Sequence, residues 1–243
     1  MDLKNFSFLT HTSFYFYMGL KFLSLQHHSK ITISKHIFLW HPKKNNLVIP
    51  NEVFSKLIKT RKRFLILGLN IIDTINHSNG IVFDFKMKTI ERYEPHGSMG
   101  YTTDTMQLDF QLNNFAKSIE YVYIPPVVSC PFESIQTLAM DTMGMCQTST
   151  LYYFDQRLAL SDTIVTPQEL HKQIYLTFKK LGPKSAGETL ETLALRVTGY
   201  IVKSSHVPKE MKDLILNYNY NKNMDTFLYR AFSNYMVSVW KDI

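Results

Sequence analysis

The chain has 243 residues, of which 45% are hydrophobic and 19% are charged. This composition supplies enough apolar material for a buried core and excludes a disordered or fibrous chain. Lys and Arg exceed Asp and Glu by 27 to 20, which gives a formal net charge of +7 and favours acidic partners or nucleic acid, although it also serves solubility. Two cysteines, Cys130 and Cys146, exclude a disulfide framework and a four-cysteine zinc site, and they predict a reducing compartment.

The first segment, residues 6–25, is apolar and aromatic, but polar residues and Lys21 interrupt it. A membrane span requires about 20 predominantly apolar residues, and a signal peptide requires a basic start and a small-residue cleavage site. Neither pattern is present. We therefore expect no membrane span and no secretion, with this segment packed on the core as strands or as a helix.

The central part of the chain has the texture of a β-sheet. Two short extended runs within residues 30–49 and a short helix over 52–60 precede a continuous apolar run over 63–72, which is typical of a strand buried on both faces. Residues 79–84 and 88–93 predict a hairpin that a short link joins.

Helices follow. A helix is predicted over 104–119, a strand over 121–124, and a helix from Gly144 onward. The apolar face of the first helix is predicted to consist of Met106, Leu108, Phe110, Leu112 and Phe115.

After residue 165 only helical patterns remain. Thr166 begins a capping box, and Gly182 with Pro183 should stop the helix that it caps. The stripe of that helix comprises Leu170, Ile174, Phe178 and Leu181, and a last helix is marked by Leu228, Ala231, Phe232, Tyr235 and Val239.

The predicted fold class is α+β, with a central mixed sheet flanked by helices and a C-terminal helical extension. We divide the chain into a variable N-terminal segment (1–60) packed on the core, a catalytic core (61–165) and the helical extension (166–243).

Two positions suggest catalytic chemistry at one end of the predicted hairpin. His77 stands at the entrance of one strand and Glu94 at the end of the next. In an antiparallel pair, the start of one strand lies beside the end of its neighbour, so the two side chains can meet at one edge of the sheet. A carboxylate in that position orients a histidine base and stabilises its charged form. Two unrelated surface residues at strand ends would give the same pattern.

A second candidate position is Cys146, in the first turn of an apolar helix and preceded by Gln136. Free N–H groups and the partial positive charge at a helix N-terminus stabilise a thiolate and can bind an oxyanion. A small core residue is the alternative reading of this cysteine.

The order of these residues resembles the adenain and SUMO-protease-like (ubiquitin-like protease) superfamily of cysteine proteases, in the form that large DNA viruses encode. Its hallmark is His-x-Asn leading a strand and then an aromatic-Glu-Pro-His-Gly turn, and residues 77–79 and 93–97 match it. Arg157 and Leu158 also match the viral pattern, and the resemblance covers about residues 60–160.

Carried over by position, the resemblance implies a papain-like or adenain-like core in which His77 is the base, Glu94 its orienting carboxylate, Cys146 the nucleophile and Gln136 the oxyanion donor. The chain departs from cellular relatives in several places. Ser78 stands where they carry Trp, Cys146 lacks the usual Asp and Gly neighbours, and Gln136 lies ten residues before it. No member of the triad is missing.

Other residues of the sequence are rival candidates for these roles. His96 could act as the base, but then His77 and Asn79 have no explanation. Cys130 is a poor nucleophile because Pro131 blocks a helix start there. Asp141 is expected to cap the helix of Cys146, and a zinc site from His36 and His41 lacks clustered spacing.

The resemblance implies a monomeric cysteine-type endopeptidase or isopeptidase that processes ubiquitin-like proteins or a viral polyprotein, in host cytoplasm or virion. No cofactor and no metal are expected. The alternative is a non-catalytic module on the same fold that binds a ubiquitin-like protein or, through its basic surface, nucleic acid. The helical extension is expected to be a structural buttress, with a partner platform built on Lys172, Lys179, Lys180, Lys184 and Lys203 as the alternative.

Overall fold

The computed structural model describes residues 7–10, 12–72, 77–97, 105–130, 133–139, 145–160 and 165–216. The predicted cap at Asp141 and the predicted last helix over 228–239 lie outside the described residues. The helices of the described part are α1 (Ser7–Thr10), α2 (Ser13–Gln26), α3 (Asn51–Lys59), α4 (Met106–Ser118), α5 (Pro126–Ser129), α6 (Ile135–Leu138), α7 (Cys146–Ala159), α8 (Pro167–Lys203) and α9 (Lys209–Leu216). The strands are β1 (Ile31–Ile33), β2 (Phe38–His41), β3 (Asn46–Val48), β4 (Phe64–Ile71), β5 (His77–Asp84), β6 (Thr89–Tyr93) and β7 (Val122–Ile124).

These strands form one mixed sheet in which β4 and β5 are central. β5 runs antiparallel to both β4 and β6, whereas β7 is parallel to β6. On the other side, β1 and β2 both pair in parallel with β4, and β3 pairs antiparallel with β2. The predicted fold class, α+β with a mixed sheet flanked by helices and a helical C-terminal part, is confirmed.

The sheet separates two apolar layers, which is why β4 is a continuous apolar run. Phe64 and Ile66 share one layer with residues of α2, α7 and α8. Leu65 and Leu67 share the other with residues of α3 and α4. A strand whose alternate side chains enter two cores must be apolar throughout.

The N-terminal aromatic segment forms α2, which lies within the first of these layers. Thr12 begins the helix by accepting a hydrogen bond from the Tyr15 main-chain N–H at 3.1 Å. Phe14, Tyr15 and Leu20 are buried against the sheet and its neighbouring helices. No helix in the described part of the chain combines the length and apolar character that crossing a membrane requires.

The predicted apolar face of α4 is partly wrong. Leu108, Leu112 and Ala116 are buried, whereas Met106 and Phe110 are 77% and 60% exposed. An α-helix turns by 3.6 residues, so the 108–112–116 spacing follows one face, and residues two positions away point elsewhere.

The long helix α8 begins at the predicted cap, and its helical backbone is broken at Gly182, where the sequence predicts a stop. Thr166 and Glu169 form a reciprocal capping box, and Gly182, with φ of 77°, interrupts the helical backbone before Pro183. A positive φ strains residues that carry a Cβ atom, so glycine is suited to this break. Leu170, Ile174 and Phe178 are buried as expected, but Leu181, next to the break, is 44% exposed.

Candidate active site

His77 and Glu94 meet at one edge of the sheet. His77 is the first residue of β5 and pairs with Ile71 at the end of β4, and Glu94 directly follows β6. His77 Nε2 donates a hydrogen bond to Glu94 Oε1 at 2.6 Å. Both side chains are almost fully buried, with 3% and 2% exposure. A charge-assisted bond out of water is stronger than one at the surface, so the ring of His77 is held in one orientation.

The turn after β6 explains how the Glu-Pro-His-Gly sequence places the carboxylate. The Gly97 main-chain N–H donates to the Glu94 carbonyl at 2.9 Å, which closes a four-residue turn with Pro95 at its second position. Gly97 has φ of 80°, a conformation that glycine adopts without strain. Within the turn, the His96 N–H donates to Glu94 Oε1 at 3.0 Å, so two donors converge on one carboxylate oxygen.

These contacts change the pKa values of His77 and Glu94. Burial acts to lower the pKa of His77, but the hydrogen bonds and negative charges of Cys146 and Glu94 raise it to about 9. Burial acts to raise the pKa of Glu94, but the hydrogen bond and charge of His77, the charge of Arg92 and the His96 N–H together lower it. The site therefore favours an imidazolium paired with a carboxylate at neutral pH.

His96, the rival base, contacts the site without replacing His77. Its ring centroid lies 4.9 Å from that of His77. Its main-chain N–H donates to Glu94 Oε1, the same oxygen that accepts from the ring of His77.

A buried arginine supports the carboxylate from behind. Arg92 Nη1 lies 3.6 Å from Glu94 Oε2 and donates to Asn79 Oδ1 at 2.6 Å. The same guanidinium contacts both carboxylate oxygens of Asp109 on α4, at 2.9 and 3.0 Å. The asparagine two residues after the histidine thus fixes the arginine that neighbours the catalytic candidate.

Cys146 is brought to His77 by the close packing of α7 on β5. A Cβ atom at Gly80 would lie 2.5 Å from Phe154 and 2.7 Å from Thr150, both on α7. Glycine therefore permits an approach that any larger residue would prevent. Cys146 lies within hydrogen-bonding reach of the His77 ring and is half-buried. Of the two ring nitrogens of His77, Nε2 is the one that contacts Glu94.

The start of α7 offers backbone donors beside this thiol. Cys146 is the first helical residue, and the preceding Met145 makes no side-chain capping hydrogen bond. The first N–H groups of a helix have no intrahelical acceptor, so they stabilise negative charge at this point.

The neighbouring Gln147 anchors the start of α7. In the amide orientation that satisfies both polar atoms, Gln147 donates to the main-chain carbonyls of Thr10 and Thr12 at 3.0 and 2.8 Å. The N-terminal segment therefore holds the first turn of α7.

Gln136 lies on the short helix α6 and is buried, with 5% exposure. Ser134 caps α6 by accepting a hydrogen bond from the Thr137 N–H at 3.1 Å. The helix packs against α7 and α8. Its role as an oxyanion donor stays a prediction.

The structure also contains a second set of Cys, His and Glu, which no sequence motif predicts. Cys130 Sγ lies 3.7 Å from His171 Nε2, and the same nitrogen lies 3.7 Å from Glu91 Oε1. Burial acts to lower the pKa of His171, but Cys130 and Glu91 raise it to about 9. The two residues of the pair are 41 positions apart, and no local spacing could have linked them.

This second set is enclosed. Tyr93 and Tyr153 stack on each other and on the His171 ring, with centroids 4.2 to 5.3 Å apart. The cavity beside Cys130 has a volume of about 10 Å³, which is the space of roughly one water molecule. A peptide cannot reach Cys130 without a rearrangement, whereas Cys146 is partly exposed.

Arg157, matched by the viral pattern, belongs to the buried support of this second set. Its Nε lies 3.5 Å from Glu91 Oε2, and its Nη2 lies 3.4 Å from Asp84 Oδ2. The Tyr153 hydroxyl donates a hydrogen bond to Glu91 Oε1.

Among the described residues, no group of three or more His, Cys, Asp or Glu side chains is arranged to hold a metal ion.

Comparison with known proteins finds distant similarities. No family model matches the chain. The chain is 28% identical over 135 aligned positions to the ankyrin repeat protein L371 of Acanthamoeba polyphaga mimivirus, which covers 46% of this chain but only 18% of that protein. Among solved structures, the chain aligns with residues 1–487 of the Legionella pneumophila effector protein RavZ at a TM-score of 0.37 and 13% identity, covering 85% of this chain and 66% of that one.

Proposed function

We propose that the chain is a cysteine peptidase in which Cys146 is the nucleophile, His77 the base and Glu94 the carboxylate that orients it. The observation that carries the proposal is the buried His77–Glu94 pair at 2.6 Å beside the half-buried thiol that begins α7. A carboxylate, an imidazole and a thiol in this sequence of contacts are the parts that nucleophilic acyl transfer requires.

In the first step, the pair stands as a thiolate and an imidazolium, with the proton of the thiol already on His77, and Cys146 Sγ attacks the carbonyl carbon of the substrate. A carbon–sulfur bond forms, and the carbonyl electron pair moves to oxygen. The Cys146 N–H and the side-chain amide of Gln136 are proposed to donate to that oxyanion. When the tetrahedral intermediate collapses, the carbon–nitrogen bond breaks and the leaving amine takes the proton from His77.

In the second step, water hydrolyses the thioester. His77 accepts a proton from the water as its oxygen attacks the acyl carbon, and the thiolate leaves as the acid product forms. Glu94 keeps its charge throughout, because its task is to stabilise the imidazolium and hold the ring.

The substrate class follows from the resemblance in the sequence. We propose that the substrate is a protein, and that the bond hydrolysed is a peptide or isopeptide bond in a viral polyprotein or in the tail of a ubiquitin-like protein. The similarity to a mimivirus protein supports a viral setting.

Covalent labelling tests the proposal with an internal control. The full chain is treated with a peptide vinyl sulfone, and the modified cysteine is located by mass spectrometry of tryptic peptides. We expect the label on Cys146, its loss in Cys146→Ala, and unchanged labelling in Cys130→Ala, because the second thiol is enclosed. Labelling at Cys130 that survives Cys146→Ala would contradict the assignment.

A further inference from the structure

A basic groove opens between β1 and α3, away from the candidate active site. We define this basic groove by the charged residues that line it. Its five cations are Lys35, Lys56, Lys59, Arg61 and Lys62, and its carboxylate is Glu52. Its volume is about 640 Å³, which lies within the range of small-molecule sites. β1 pairs with the first residues of β4, whereas His77 pairs with the last, and none of the four candidate site residues lines the groove.

The charges of the basic groove are not balanced. Glu52 is the carboxylate of the lining, and it lies 3.9 Å from His36. Within the described residues, none of the five cations forms an ion pair with a carboxylate. Like charges held together without counter-charges repel one another, so this arrangement costs stability unless an anion joins it.

Lys56 is a partly buried cation of the groove on which this repulsion acts. Its ammonium donates to the Ile33 carbonyl at 3.0 Å, which holds it beside β1 in the lining of the groove. Burial and then the charge of Lys35 lower the pKa of Lys56. Burial lowers the pKa of His36 in the same groove, Glu52 opposes this, and Lys35 and Lys56 lower it further. An anion between these groups would relieve the mutual repulsion.

The shape indicates a small ligand. The five cations converge on one concavity instead of forming a stripe, and Tyr17 and Ile33 add apolar surface to its walls. A single phosphate would fill little of this volume. Arg61 offers a planar fork, and the lysines offer point charges, which together suit a chain of phosphoryl oxygens.

We propose that the basic groove binds a small anion that carries two or more linked phosphate groups. The site is independent of the proposed peptidase activity and requires no residue of the catalytic machinery.

Isothermal titration of the full chain with sodium triphosphate, at low salt and without divalent cations, tests the proposal. The groove variant is Lys59→Gln/Arg61→Gln, since both side chains are exposed. The matched control is Lys180→Gln/Lys184→Gln on α8, which removes the same charge from exposed positions elsewhere. We expect the groove variant to bind about tenfold more weakly than wild type and the control to stay within about twofold.

A second groove variant, Lys35→Gln/Lys62→Gln, must reproduce the loss, and thermal melts of every variant confirm folding. ATP is titrated in parallel. If ATP binds with the same affinity as triphosphate, the groove recognises the phosphates alone. If ATP binds more tightly, the apolar wall of the groove also contacts the nucleoside. Absence of triphosphate binding, or equal weakening in groove and control variants, would overturn the proposal. So would a short DNA duplex that binds through the groove cations when triphosphate does not.

Discussion

The Glu94 carboxylate holds His77 in its charged form over a defined pH window. His77 has a pKa of about 9 in the folded protein, above its usual 6.5, so the pair contributes stability that is fully present below pH 6.5 and is lost as pH rises through about 9. Glu94 has a lowered pKa, so its contribution is present above the usual carboxyl range and is lost as pH falls through the lowered value. Both groups are paired and charged at neutral pH.

Glu94→Gln should therefore move the pH profile of the proposed peptidase activity. The amide keeps the shape but removes the negative charge that raises the pKa of His77, so the alkaline limb of kcat/KM should begin at lower pH than in wild type. Turnover should fall by at least about tenfold, yet by less than in Cys146→Ser. Glu210→Gln, at an exposed position on α9, is the control. If the alkaline limb in Glu94→Gln stays at the same pH as in wild type, Glu94 does not raise the pKa of His77, and the prediction is wrong.

At the scale of elements, sequence patterns predicted what depends on neighbours along the chain. The apolar run of β4, the β5–β6 hairpin, the Thr166 capping box and the break at Gly182 are local features, and the structure has each of them. The exposed sides of α4 and the contact between Cys130 and His171 depend on which elements pack together. Periodicity alone could not supply that information.

The same distinction between local and long-range features applies to the candidate site. Adjacent strands bring His77 and Glu94 together, so an antiparallel hairpin was enough to predict their meeting. The support by Arg92, on β6, depends on Asp109 of α4, which holds the guanidinium. That long-range contact has no local signature.

Gly80→Ala should disturb the site through packing. The new Cβ atom would overlap Phe154 and Thr150, which would push α7 away from β5. Overpacking of a core costs about 1–3 kcal/mol, and we expect slower vinyl sulfone labelling of Cys146 as well. Gly199→Ala on α8 is the matched control, since its Cβ atom meets nothing within 4 Å. Chemical denaturation and labelling rates measure both effects, and equal behaviour of the two variants would refute the packing argument.

At the scale of the molecule, the helical C-terminal part completes the core. Leu190, Ala194 and Val197 of α8 are fully buried in the same apolar layer as residues of α2 and α7. The lysines of α8, at 172, 179, 180, 184 and 203, lie on its exposed side. The packing favours a buttress.

Truncation after residue 165 should therefore abolish cooperative unfolding, because it uncovers the apolar surface that α8 covers. Circular dichroism melts and solubility measure this. Lys172→Gln/Lys179→Gln/Lys180→Gln removes exposed charges and one exposed hydrogen bond, from Lys179 to Tyr175, and this variant should fold like wild type and label equally at Cys146. A soluble, cooperatively folded truncation that still labels at Cys146 would show that α8 is dispensable for the core.

The central claim, that Cys146 cleaves peptide bonds with the help of His77 and Glu94, is tested most directly by hydrolysis of a proteome-derived peptide library. New amino termini are counted by mass spectrometry after incubation with wild type, Cys146→Ala and Cys130→Ala under identical reducing conditions. We predict a common set of cleavages with wild type and Cys130→Ala and none of them with Cys146→Ala. Cleavages that persist in Cys146→Ala, or that vanish in Cys130→Ala while the protein stays folded, would contradict the claim.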